Sequence, residues 1–385
     1  MKKLPLKLEK RLQKRKDEDS FRKLLPFPRG VDFFSNDYLG FSRSEAITGN
    51  SLKIIKEFGT VNGATGSRLL SGNHPLFKKV ENQLASFHNS QSALIFNSGY
   101  DANIGFFSAV LQKADIILYD EFSHASIRDG LKMSLARNYK FQHNDLGDLA
   151  QKLERLTSNK EEKEIYIVTE SVFSMDGDSP DMIGLVELAE KYHANLIVDE
   201  AHATGVFGEK GQGLVQQLKL ESRIFARIHT FGKAMGCHGA VILGSSDLKD
   251  YLVNFSRSLI YTTALSPHAV ATISAAYRNL DREQGHLNEL KKNIQHFKSE
   301  ILQNNLQYIF IESDSAIQAC VISGNTKVKR AALELQKQGF IVKPILSPTV
   351  PAESERLRFC IHSYNSKQEI SEVLKVLSNF VANSE

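Results

Sequence analysis

Apolar positions follow two rhythms along this chain. Between about residues 90 and 245, short apolar runs alternate with stretches of helical spacing. The runs are Ala93–Phe96, Ile116–Tyr119, Ile165–Thr169, Leu196–Val198 and Ile224–His229. Apolar residues three and four apart follow the first three runs, at Asp101–Leu111, Ala125–Leu135 and Met182–Tyr192, predicting helices. Runs without polar interruption suit strands covered on both faces, and the helices between them supply the cover. A sixth run, Gly239–Leu243, follows the fifth too closely for a helical crossover, so an antiparallel placement is expected. The pattern predicts an α/β fold with a mostly parallel sheet covered by helices.

After about residue 270 the rhythm changes. A long polar helix is expected near His286–Asn304, strands near Ala316–Ile322, Phe340–Val342 and Leu357–Ile361, and helices near Val328–Gln338 and Lys367–Phe380. This reads as a smaller C-terminal α+β domain. At the other end, Leu8, Leu12, Phe21, Leu24 and Leu25 sit among many charges with partial helical spacing. They predict an amphipathic helix ending near Pro26 and Pro28. The expected division is an N-terminal helix and segment over 1–47, a large α/β domain over 48–270 and a small α+β domain over 271–385.

Composition narrows the class. The chain has 385 residues, 42% hydrophobic and 24% charged, as globular proteins do. No apolar run reaches the ~18 residues of a membrane span. Lys7, Glu9, Lys10 and Arg11 interrupt the N-terminus before a secretory signal could form, so a cytoplasmic protein without membrane contact is expected. The net charge of +4 is too small to argue for nucleic acid. Cys237, Cys320 and Cys360 lie far apart without metal-ligand spacing and are expected to be reduced thiols, with no metal site.

Ligands of open α/β sheets bind beyond the carboxyl ends of the strands, so the residues that follow each run matter most. The first run leads into Asn97-Ser98-Gly99-Tyr100, where a glycine and a helix N-terminus can receive an anion. The second leads to His124, and the fourth to Asp199-Glu200-Ala201-His202. The fifth leads through Thr230 to Lys233, an amine in an otherwise uncharged, glycine-flanked segment. A lysine removed from water becomes a nucleophile toward aldehydes. An anion cradle, flat rings, a carboxylate and an amine at one sheet edge are what pyridoxal 5′-phosphate requires. The carboxylate would keep the pyridine nitrogen protonated, and the lysine would form the Schiff base. A metal held by Asp199, His202 and His124 is the rival reading of the same residues.

Longer segments carry a resemblance. They are Phe34-Ser35-Asn36-Asp37-Tyr38-Leu39-Gly40, Thr65-Gly66-Ser67-Arg68-Leu69-Leu70-Ser71-Gly72-Asn73-His74, Asn97-Ser98-Gly99-Tyr100, Ser123-His124-Ala125-Ser126 and Ser174-Met175-Asp176-Gly177-Asp178. Further on come Val198-Asp199-Glu200-Ala201-His202, Thr230-Phe231-Gly232-Lys233, Ile260-Tyr261-Thr262-Thr263, Pro348-Thr349-Val350-Pro351 and Leu357-Arg358. With these segments in this order, the chain resembles the α-oxoamine synthase family of pyridoxal-phosphate enzymes, fold type I.

The resemblance implies a seven-stranded sheet, a homodimer and the following roles. Lys233 carries the cofactor, Asp199 pairs with its ring nitrogen, His202 bonds its ring oxygen, His124 stacks on its face and Ser174 touches the ring. The backbone at Gly99 and Tyr100 and the side chain of Thr230 hold the phosphate, joined by Thr262 or Thr263 of the partner subunit. Arg358 and Asn36 bind the amino-acid carboxylate, and Thr349 contacts substrate. Arg22, on the N-terminal helix, meets the distal carboxylate of an acyl chain. The implied reaction is a decarboxylative condensation of an amino acid with an acyl thioester of coenzyme A or a carrier protein. The biotin-pathway branch, using L-alanine and a pimeloyl thioester, is the nearest in motif. The glycine C-acetyltransferase, 5-aminolevulinate synthase and serine palmitoyltransferase branches are the alternatives, as is a pyridoxal-phosphate-binding protein that has lost catalysis. Asp178-Ser179-Pro180-Asp181-Met182 and Cys237-His238 depart from the usual family pattern.

Overall fold

Eleven strands appear among the residues described by the computed structural model, which are 3–18, 20–24, 26, 29–157 and 163–383. They are β1 (Val31–Phe33), β2 (Ser92–Phe96), β3 (Ile116–Asp120), β4 (Arg137–Phe141), β5 (Ile165–Glu170) and β6 (Asn195–Asp199), then β7 (Ala226–Thr230), β8 (Ala240–Gly244), β9 (Ile317–Val321), β10 (Phe340–Ile345) and β11 (Arg356–Cys360).

Seven of them form the central sheet in the order β2-β8-β7-β6-β5-β3-β4. β8 runs antiparallel to both neighbours, and the other pairings are parallel. Every residue of β5 is buried, as a strand covered on both faces requires. Successive residues of β6 serve opposite layers. Ile197 packs with Phe106, Phe107 and Ile228, while Leu196 and Val198 pack with Leu149, Leu185 and Val186.

A second sheet has the order β1-β10-β11-β9. β1, from the N-terminal part of the chain, lies parallel to β10, and the other two pairings are antiparallel. The helices Gly285–Gln303 and Lys367–Ala382 pack on one another beside it. The latter opens with a capping box, in which Ser366 and Glu369 each satisfy the other's backbone N–H. One apolar cluster joins the two regions, uniting Phe33, Tyr38 and Phe231 with Phe297 and Phe359. Among the described residues no helix is long and apolar enough to cross a membrane. Cys320 and Cys360 are buried, Cys237 is half-buried, and all three are free thiols.

The N-terminal helix is shorter than the sequence suggests. It spans Leu6–Asp17 and buries none of its residues. It stops because the chain turns back, with the backbone N–H of Ser20 donating to the Arg15 carbonyl at 2.8 Å. Phe21, Arg22 and Leu24 therefore lie beyond the helix, while Leu25 and Pro28 fall outside the described residues.

Candidate active site

β2, β3, β5, β6 and β7 all point their carboxyl ends toward the same edge of the central sheet, as their pairings require. A cavity of about 550 Å³ opens there, between the segments after β3 and β5 and residues 347–352.

Asp199 ends β6 and is 5% exposed. Its Oδ1 accepts the backbone N–H of Ala201 at 2.9 Å, and its Oδ2 accepts Nδ2 of Asn103 at 3.0 Å. Nδ2 of Asn103 also donates to Oγ of Ser126 at 3.0 Å, and that hydroxyl lies 2.7 Å from Nδ1 of His124. The backbone N–H of Ser126 donates to the same Nδ1 at 3.2 Å, so His124 caps the helix Ala125–Met133. Nδ1 thus accepts, and the neutral ring carries its proton on Nε2. Loss of water keeps His124 below its ordinary value, with Lys233 adding to the effect and Asp199 opposing it.

Glu170, at the end of β5, is 3% exposed and accepts the backbone N–H of His124 at 2.5 Å. Burial and then the Asp199 charge push its carboxyl up to about 8. Lys233 follows β7 in a tight turn, where the N–H of Gly236 donates to the Lys233 carbonyl at 2.9 Å. Gly236 has φ +60°, and a Cβ there would lie 2.2 Å from the Ser42 backbone nitrogen, so no larger residue fits. Lys233 is half-buried and is not among the residues that line the cavity. Desolvation brings its ammonium down to about 8, against the pull of Asp199 and Glu170.

His202 is buried, and burial first, then the charges of Lys233 and Arg358, hold it well below its ordinary value. Its Nδ1 lies 2.8 Å from the Tyr38 hydroxyl. Burial raises the Tyr38 phenol, so it keeps its proton, which can go to that nitrogen or to Oδ1 of Asn36 at 3.2 Å. Arg358, 7% exposed, donates through Nε to the Ser174 carbonyl at 2.6 Å and through Nη2 to Oδ1 of Asn36 at 2.9 Å.

Ser98 caps the helix Gly99–Val110 by accepting the Asp101 N–H at 3.0 Å. Thr230 stands against this N-terminus, since a Cβ on Gly99 would lie 3.4 Å from its hydroxyl. The Tyr100 side chain turns away and donates to Oδ2 of Asp129 at 2.7 Å. Thr263 is exposed, and its carbonyl accepts Nδ2 of Asn97 at 2.7 Å beside the same cradle, with Thr262 next to it. Thr349 and Ser174 line the cavity. Arg22 is exposed in the chain after the N-terminal helix and is not among the residues lining the cavity.

These residues fit pyridoxal 5′-phosphate. Each Asp199 oxygen takes one N–H and keeps lone-pair capacity for a ring nitrogen's proton. Gly99 leaves the helix N-terminus open to a phosphate. Lys233 is poised near neutrality to meet an aldehyde. The rival metal reading fails on geometry, because Asp199, His202 and His124 do not bring three ligand atoms together. Among the described residues only His143, Asp176 and Asp178 do, within 4.8 Å of one another. That group is already paired internally. Arg356 engages Asp176. His143 bridges Oδ1 of Asp120 at 2.9 Å and Oδ2 of Asp178 at 2.8 Å. Asp178, one of the departures from the family pattern, is therefore the far half of an imidazole clamp.

The sequence reading did not single out Tyr38, Asn103, Ser126, Glu170 or His143. Tyr38 and Ser126 lay inside motifs that carried the resemblance. Glu170 directly follows the third run, so its place at a strand's carboxyl end was a usable signal.

The family model for aminotransferase class I and II matches residues 28–377. The chain is similar to the 8-amino-7-oxononanoate synthase of Emericella nidulans, with 39% identity across 98% of this chain and 96% of that protein. Among solved structures it is similar to a serine palmitoyltransferase variant from S. paucimobilis with a pyridoxal-phosphate–myriocin adduct bound. That match has 26% identity and a TM-score of 0.87, over 98% of this chain and 97% of the other. It is also similar to the 8-amino-7-oxononanoate synthase of Francisella tularensis, with 28% identity and a TM-score of 0.77, over 92% of this chain and 98% of that one.

Proposed function

We propose, because the chain belongs to the class I and II aminotransferase family and within it to the fold type I α-oxoamine synthases, that it condenses an amino acid with an acyl thioester, releasing carbon dioxide and the free thiol. Pyridoxal 5′-phosphate is the cofactor of this fold and, when bound, supplies a protonated ring that stabilises negative charge at the substrate Cα.

The chain's own residues would then divide the work. Lys233 holds the cofactor, and its amine, brought down to about 8, takes the Cα proton and later returns one. Asp199 keeps the ring nitrogen protonated. His202, held through Nδ1 by the Tyr38 hydroxyl at 2.8 Å, bonds the ring oxygen. His124, pinned by Ser126 and Glu170, covers the ring face, and Ser174 borders it. Thr230 and the N–H groups of Gly99 and Tyr100 hold the phosphate, completed by Thr262 or Thr263 of the partner subunit in a homodimer. Arg358 and Asn36 hold the amino-acid carboxylate, with the amide Oδ1 of Asn36 already taken by Arg358 and its nitrogen left to donate. Thr349 meets the substrates at the cavity wall.

The observation that carries this reading is the convergence of a near-neutral lysine, a buried acid and a neutral histidine at one sheet edge. Two substrate pairs follow. The first is L-alanine with a pimeloyl thioester of coenzyme A or a carrier protein, giving 8-amino-7-oxononanoate for biotin synthesis, which the relative from Emericella nidulans supports. The second is L-serine with a long-chain fatty acyl thioester, which the higher TM-score of the serine palmitoyltransferase supports. The test is to incubate the protein with alanine, glycine or serine and acetyl, succinyl, pimeloyl or palmitoyl thioesters, reading products by mass spectrometry. An α-amino ketone that has lost carbon dioxide is expected from one pair. Its absence from every pair refutes the proposal.

A further inference from the structure

The cavity beside His124 contains a charge that the roles above leave unused. Its lining is largely apolar, with Phe122, Phe173, Met175, Pro348 and Val350 on its walls. Two arginines are among the residues that line it, Arg128 and Arg356. Arg356 is buried and occupied, since it engages Asp176 and donates to the Ser354 carbonyl at 2.9 Å. Arg128 differs. It stands four residues after His124 on the helix Ala125–Met133, so the two side chains share a face. Among the described residues no hydrogen bond or ion pair takes up its guanidinium, and Arg128 is both exposed and part of the cavity lining.

The nearby acids are spoken for. Asp129 accepts from the Tyr100 hydroxyl at 2.7 Å and from Nζ of Lys132 at 3.3 Å. Glu121, on the cavity wall, accepts from Nζ of Lys140 at 3.3 Å. An unpaired guanidinium against apolar walls attracts an anion more strongly than one in bulk water. The amino-acid carboxylate already has Arg358 and Asn36 in the reading above. The remaining substrate is the acyl donor.

We infer that Arg128 is a specificity-determining residue that binds an anionic group of the acyl thioester. That group is either a carboxylate at the far end of the acyl chain or a phosphate of the thiol carrier. Both present the paired oxygens that a planar guanidinium grips. The inference rests on the α-oxoamine synthase reading and deepens it.

Equilibrium binding to the holoenzyme tests it, measured by calorimetry without amino acid so that no turnover intervenes. The probes are pimeloyl-coenzyme A, heptanoyl-coenzyme A, which has the same chain length and an uncharged end, and the N-acetylcysteamine thioester of pimelate, which lacks phosphates. Arg128→Leu is expected to weaken binding about 10- to 100-fold for donors bearing the recognised anion, and Arg128→Lys to retain part of it. Loss for both pimeloyl donors and not for heptanoyl-coenzyme A assigns the carboxylate. Loss for both coenzyme A donors and not for the N-acetylcysteamine thioester assigns the phosphate. Equal binding of all three probes by wild type and Arg128→Leu overturns the inference. The underlying reading is checked separately by deuterium exchange at Cα in the unaltered holoenzyme, with amino acid alone. No exchange with any amino acid defeats that reading, whereas exchange with unaltered thioester binding in Arg128→Leu defeats only the role of Arg128.

Discussion

Replacing His143 by glutamine should change how the stability of this protein depends on pH. The imidazole sits between Asp120, at the end of β3, and Asp178, on the segment after β5, and Phe122 stacks on it at 4.3 Å. Burial alone would lower its pKa, but the hydrogen bonds and charges of the two carboxylates outweigh burial and raise it to about 9. The rise from an ordinary 6.5 is about 2.5 units at about 1.4 kcal/mol each, or about 3 kcal/mol. The side chain is 17% exposed, so solvent screening removes little of this. A group whose pKa is raised by folding stabilises the folded state fully below its unfolded pKa. That contribution is lost as pH rises through the folded value. The window therefore runs from about 6.5 to about 9. Urea unfolding of wild type and His143→Gln across this range reads it out. Wild type should lose about 3 kcal/mol relative to the variant between the lower and upper ends. Parallel stability curves would show that His143 is not held protonated between its two acids.

Lys233→Ala should lose the borohydride-reducible link to the cofactor and about 1000-fold or more of its activity, checked by absorbance and turnover. In wild type, the rate of cofactor attachment should rise as pH passes through about 8, because only the neutral amine attacks; a flat profile would contradict the depressed value. Asp199→Asn should still bind cofactor but exchange the Cα proton about 100- to 1000-fold more slowly, measured by proton NMR in heavy water. Arg358→Ala should raise the amino-acid KM about 10- to 100-fold with less effect on the thioester KM, as steady-state kinetics would show.

Strands buried on both faces announce themselves, and β2, β3, β5, β6, β7 and β8 each coincide with an apolar run in the sequence. β4 does not, because Arg137–Phe141 is an edge strand in which only Phe141 is buried. β1 is three residues long and owes its extension to pairing with β10 at the other end of the chain. The helices Glu45–Phe58 and Pro75–Phe87 escaped the apolar pattern, although Ser44 caps one and Pro75 opens the other. In the site, Lys233, Asp199, His124 and His202 were legible because each lies at, or a few residues past, the carboxyl end of a strand. Their supports were not, because those are defined by partners remote in sequence. Tyr38 meets His202 across 164 positions, Asn103 meets Asp199 across 96, and Glu170 meets the His124 backbone across 46.

The contact between Asn36 and Arg358 spans 322 positions, and β1 finds its neighbour β10 only slightly earlier in the chain. A nascent polypeptide therefore leaves the ribosome with its large sheet complete long before Asn36 and Arg358 can meet. Until the last strands emerge, Phe33 lacks the rings of Phe340 and Phe359, each 6.3 Å from it in the finished molecule. On the roles proposed above, synthesis halted short of β11 would yield a chain that holds Lys233 and Asp199 without Arg358, and translation-arrested complexes would reveal it as cofactor uptake without amino-acid binding.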